Sequence, residues 1–117
     1  MQSCRRAGCL DADVGSAPTS QLLDRLGCSA PVEYDIGAVS GAKLLVEGYR
    51  GHAILVVDED RRVVVGATFV GPELAELLHS ATIAVVGEVP LDRLWHAVPS
   101  FPTVSEVWLR LLETYGL

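Results

Sequence analysis

The chain has 117 residues, half of them apolar, with 9 basic and 15 acidic side chains and a formal net charge of -6. That length holds one domain and excludes a complete dinucleotide-dependent enzyme, whose nucleotide-binding unit alone takes roughly 150 residues. The acidic balance, with a pI near 4.9, argues against nucleic acid, because its binders carry a basic patch.

Residues 1–15 mix Cys, Arg, Gly and Asp without periodicity and read as a loop or frayed end; residues 16–117 read as a single domain. Pro18 and Thr19 open a short helix with Leu22, Leu23 and Leu26 on one face, and Gly27 stops it. Residues 32–36 read as a strand, 37–41 as a loop and 42–47 as a further strand. Residues 51–57 and 63–70 are β-rich and apolar on both faces, and the polar stretch 58–62 joins them into an antiparallel hairpin. One face of that hairpin is expected to meet helices, the other a second layer or a partner.

Gly71 and Pro72 end the strand, with Pro72 placed as the first helical residue. Leu74, Leu77, Leu78, Ala81 and Val85 follow helical spacing up to Gly87. Pro90 starts a shorter helix with Leu91, Leu94 and Trp95 inward, and Pro99 and Pro102 bracket a rigid connector. Val104, Val107, Trp108, Leu111, Leu112 and Tyr115 then mark a last amphipathic helix. Strands run together and helices run together. The fold class is therefore α+β, an antiparallel sheet with helices packed on one face.

Mean hydropathy is +0.34, high for a small domain that leaves much of its surface exposed, which points to surface covered by a partner. The apolar runs at 63–70 and 82–86 are far shorter than the roughly 20 residues a membrane-spanning helix needs. No apolar stretch follows Arg5 and Arg6, so the N-terminus does not read as a secretory signal. Cys4, Cys9 and Cys28 make an odd count, which reads as reduced thiols in a cytoplasmic protein.

Few residues suggest chemistry by themselves. The glycines form no dinucleotide or phosphate loop, and no Cys and His set has the four-ligand pattern of zinc. Cys4 and Cys9 are spaced to form a redox pair, although two unrelated thiols is the plainer reading. His52, His79 and His96 read as surface or half-buried side chains. Thr103-Val104-Ser105-Glu106 has the form of a capping box, in which Thr103 caps the last helix and Glu106 reaches back to it.

Six blocks occur in order along the chain: Gly41-Ala42-Lys43, Leu55-Val56-Val57-Asp58, Val65 to Pro72, Ala75-Glu76-Leu77-Leu78-His79, Ile83-Ala84 and Phe101-Pro102-Thr103-Val104-Ser105-Glu106. Together they resemble the C-terminal dimerisation domain of the pyridine nucleotide-disulfide oxidoreductases, the family of dihydrolipoamide dehydrogenase, glutathione reductase and mercuric reductase. The resemblance covers residues 32–117 and extends more weakly to Asp13-Val14-Gly15 and the helix at 19–26.

The resemblance implies an α+β domain that builds a two-fold dimer. In that family a His-Pro-Thr-x-x-Glu segment reaches the partner subunit's active site, where the glutamate holds a histidine base beside a redox disulfide and flavin. Pro102, Thr103 and Glu106 match that segment, but Phe101 stands at the histidine position. Glu106 is thus the candidate catalytic residue by resemblance, and Phe101 and Pro102 are candidate contacts to a partner's flavin. Phenylalanine accepts no proton, and His96 lies five residues too early to replace the base.

The family's FAD and NAD(P) domains have no counterpart in this sequence. The chain is therefore expected to be a fragment, inactive alone and binding neither cofactor, with a homodimer or a full-length flavoprotein as partner. Two alternatives stand beside this: a free-standing module that forms heterodimers with a flavoprotein, and a small thiol redox protein using Cys4 and Cys9.

Overall fold

The computed structural model describes residues 31–117. The expected N-terminal loop, the helix at 19–26 and all three cysteines lie outside the described residues.

The first strand, β1 (Val32–Asp35), alternates as a half-buried strand should, with Val32 and Tyr34 inward and Glu33 and Asp35 exposed. Asp35 ends it by accepting the Gly37 amide on Oδ1 at 2.8 Å, which starts a 3-10 turn, Ile36–Ala38. Ile36 is fully buried, and its amide donates to the Gly51 carbonyl at 3.0 Å.

The next segment differs from the expected strand at 42–47. It is a helix, α1 (Ser40–Leu45). Ala42, Lys43, Leu44 and Leu45 are strong helix formers, and a short apolar run does not by itself distinguish strand from helix. Burial decides the matter: Ala42 is fully buried while Leu44 and Leu45 are exposed, a one-sided helical pattern. Gly48, at φ 67, then reverses the chain in a conformation that favours glycine.

Strands β2 (His52–Asp58) and β3 (Val63–Val70) form the expected antiparallel hairpin. The buried Asp58 carboxylate organises its turn by accepting the amides of Asp60 and Arg61, both at 3.1 Å. Among the described residues the sheet has the order β1-β2-β3. Val56 pairs with Gly66 but Val57 pairs with Val64, so Val65 is the extra residue of a bulge.

Helix α2 (Ala75–Val86) begins later than the sequence suggests. Pro72 is not its first residue, because Glu73 has φ 57 and a left-handed residue cannot continue into a right-handed turn. Leu77, Ala81 and Ala84 form its buried face, whereas Leu78 is exposed. A single short helix, α3 (Leu91–Leu94), follows Pro90 and buries Leu91 completely.

Helix α4 (Glu106–Tyr115) ends at Gly116, whose φ of 115 lets the Leu117 amide return to the Leu112 carbonyl at 3.1 Å. It packs on β1 and β2, while α2 packs on β3. Val32, Ala53, Leu55, Val57 and Val64 from the sheet thereby share one core with Leu77, Leu91, Val107, Leu111 and Leu112. This is the α+β architecture expected from the sequence. The opposite side of the sheet carries Glu33 and His52, exposed and 3.2 Å apart, beside the half-buried Ile54 and Val56.

Candidate functional site

Phe101, Pro102 and Thr103 lie in the connector between α3 and α4, and Glu106 is the first residue of α4. Phe101 and Pro102 form the tip of the connector and are exposed, Phe101 to 74%. The peptide bond joining them is cis. Thr103 closes the tip by donating its hydroxyl to the Ser100 carbonyl at 2.5 Å.

That hydrogen bond rules out the expected capping box. Ser105 occupies the cap position of α4 and makes no side-chain cap bond, and the Thr103 hydroxyl points back along the chain instead. Nor does Glu106 reach back as a capping partner. Its Oε2 accepts the amide of Gly41, in α1, at 3.3 Å. Glu106 itself is only 8% exposed.

Gly41 was legible only as part of a sequence block, not as a contact. A Cβ at this position would overlap the Thr103 backbone, so α1 and the connector meet main chain to main chain. The available signal is a glycine within an otherwise helix-forming run, where it is unfavourable without a packing reason.

The three histidines are all exposed and lie on different elements. His52 faces Glu33, His79 belongs to α2, and His96 donates its amide to the Arg93 carbonyl at 3.1 Å. The Glu106 carboxylate bonds the Gly41 amide instead of an imidazole.

Beside the connector lies a mainly apolar pocket of about 180 Å³, whose lining includes Ser80, Ala84, Leu94, Pro99, Trp108 and Leu112. Trp108 donates its indole N–H to Ser80 Oγ at 3.1 Å, and its ring lies 5.9 Å from Phe69. The pocket is smaller than the roughly 300–1,000 Å³ typical of ligand sites. Around it, Val98, Ile83 and Val86 are exposed apolar side chains.

Residues 31–112 match the family model described as pyridine nucleotide-disulphide oxidoreductase, dimerisation domain. The chain belongs to this family. It is 27% identical over 97 residues to the dihydrolipoyl dehydrogenase of Chlamydia trachomatis serovar D, covering 83% of this chain and 20% of that protein. It is 28% identical over 81 residues to the dihydrolipoyl dehydrogenase of Bacillus subtilis strain 168, covering 68% of this chain and 18% of the relative. A dihydrolipoyl dehydrogenase of Chlamydia pneumoniae is 34% identical over 58 residues, covering 50% of this chain and 13% of that protein. The chain thus spans at most a fifth of the length of these relatives. Among the described residues, no helix of the dimerisation domain is long and apolar enough to cross a membrane.

Proposed function

We propose that this chain acts by self-association, as the dimer-forming part of an FAD-dependent NAD(P)H oxidoreductase, and has no turnover alone. In a full-length dimer, Phe101 and Pro102 would lie against the partner subunit's flavin, with Glu106 behind them. The observation that carries this reading is the exposed apolar tip at Phe101, at the position where the resemblance places the family's cross-subunit segment. Covering an exposed aromatic side chain with a partner surface removes its apolar area from water, which is favourable. Val98, also exposed, extends the same apolar connector.

Phe101 cannot hold or move a proton, and the Glu106 carboxylate is engaged by a backbone amide. The acid-base step on a dithiol substrate is therefore not supplied by this connector. Acceptors that need no such base, such as a quinone or a metal ion, suit a parent enzyme better. The cytoplasm suits the domain, on the reading of Cys4, Cys9 and Cys28 as reduced thiols.

Native mass spectrometry of the chain, alone and mixed with FAD, tests the proposal. The expected species is a flavin-free dimer. A monomer at micromolar concentration, or any species that retains FAD, would overturn it.

A further inference from the structure

Helix α1 has an uncapped start. Its N-cap residue, Val39, offers no side-chain acceptor, yet the first amides of a helix have no partner within it. Glu106 fills that gap from 65 residues away by accepting the Gly41 amide. The same residue donates its own amide to the Thr103 carbonyl at 3.3 Å. Glu106 is therefore bonded through its side chain to α1 and through its backbone to the connector. Gly41 completes the triangle, because the Thr103 backbone occupies the space where a side chain would sit.

We propose that Gly41 and Glu106 form one anchor that positions the Phe101–Pro102 tip, with the carboxylate serving as a hydrogen-bond acceptor for backbone and not as the holder of a base. Phe101 and Pro102 are suspended between Ser100 and Thr103, which the Thr103 hydroxyl ties together. The base of this small loop is Thr103 itself, clamped against Gly41. Two fixed points next to the tip restrict where Phe101 can go, which lowers the ordering cost when a partner surface covers it. Both anchor residues are positioning residues, since neither needs to touch the partner. The purpose assigned to the tip rests on the self-association reading above; the anchor does not.

Three variants test this: Glu106→Gln, Glu106→Ala and Gly41→Ala. Backbone order parameters at Ser100 and Phe101 report the tip, Gly41 amide exchange reports the hydrogen bond, and β2 amides report global folding. Glutamine still presents a side-chain oxygen, so Glu106→Gln should keep tip order and hold Gly41 exchange within about threefold of the parent. Glu106→Ala should speed Gly41 exchange roughly tenfold or more and lower the order parameters at the tip. Gly41→Ala should loosen the tip even though Glu106 remains.

An unchanged tip in Glu106→Ala overturns the proposal, as does a tip equally loose in Glu106→Gln. If the alanine variants lose β2 protection, Glu106→Gln decides alone: a parent-like tip supports the anchor and a loosened one rejects it. Self-association measured on the same samples separates the two readings. A loosened tip with an unchanged dimer dissociation constant keeps the anchor and rejects the tip as part of the dimer surface.

Discussion

Tyr49 donates its hydroxyl proton to the carbonyl of Pro72 at 2.6 Å, tying the segment after α1 to the turn before α2. The ring is buried in the core beside Gly71, where an added Cβ would lie 2.9 Å from the hydroxyl. Burial first, and then the nearby charge of Glu73, raise the phenol above its ordinary value of 10.0. Tyr49→Phe should destabilise the fold by ~1 kcal/mol at neutral pH, a typical net hydrogen-bond contribution. Chemical denaturation of the two proteins measures this directly.

The same phenol sets an alkaline limit. Its folded-state pKa is raised, so its contribution is fully present below the unfolded value of 10.0 and drains away as pH rises through the folded value. The unfolded chain gives up the proton first. Tyr115 acts with the same sign, raised by burial and then by its hydrogen bond to Glu59 at 2.7 Å. Stability should therefore fall above pH 10, and Tyr49→Phe should reduce that slope without abolishing it, because Tyr115 still titrates. A pH series of urea midpoints tests the sign, and stability that rises in this range would contradict it.

Ser80 reads out the packing of α2 on α4. Its hydroxyl donates to the Leu77 carbonyl at 2.7 Å, leaving the oxygen free to accept the Trp108 indole N–H. Ser80→Ala should cost no more than ~1 kcal/mol, because water can reach the indole instead. The Trp108 indole proton resonance should nonetheless move and exchange faster. An unaltered resonance would mean that the bond is not formed in solution.

Leu111 is completely buried between the sheet and the helices. Leu111→Ala should destabilise the domain by about 2–5 kcal/mol, through lost transfer energy and the cavity left behind. Thermal unfolding gives the value, and a loss below that range would mean that α4 collapses readily onto the sheet.

Phe101 projects into solvent and supports no part of the core. Phe101→Ser should leave monomer stability nearly unchanged and weaken self-association by roughly tenfold or more, as expected of an aromatic anchor. Sedimentation equilibrium at several concentrations checks this. Equal dissociation constants for the two proteins would remove the tip from the dimer surface.

The features legible in the sequence were those with a long pattern. The stripe from Val107 to Leu112 gave α4, and two β-rich runs about a polar turn gave the hairpin, because burial repeats along such segments. Short segments misled. Residues 40–45 contain too few turns for periodicity to speak, and their helix is settled by the burial of Ala42 and the contact at Gly41. The preference of proline for a first helical position does not anticipate the left-handed Glu73 that follows Pro72. Thr103 and Glu106 have the spacing of a capping box, yet each finds another partner, Ser100 in one case and Gly41 in the other. The second of these crosses 65 residues, and no local spacing rule reports such a bond.

The docking of α4 on β1 and β2 also sets a direction for biosynthesis. A ribosome delivers β1 well before α4, so the apolar face of the sheet emerges long before the helix that covers it. Val32, Ala53 and Leu55 must wait for Val107 and Leu111. During that interval the nascent hairpin offers its sticky side to any chaperone or neighbouring chain, and contacts so distant in sequence close slowly. Translation halted before residue 106 would leave a chain with all three described strands but without the helix that covers β1 and β2, a substrate for quality control rather than a smaller version of the domain.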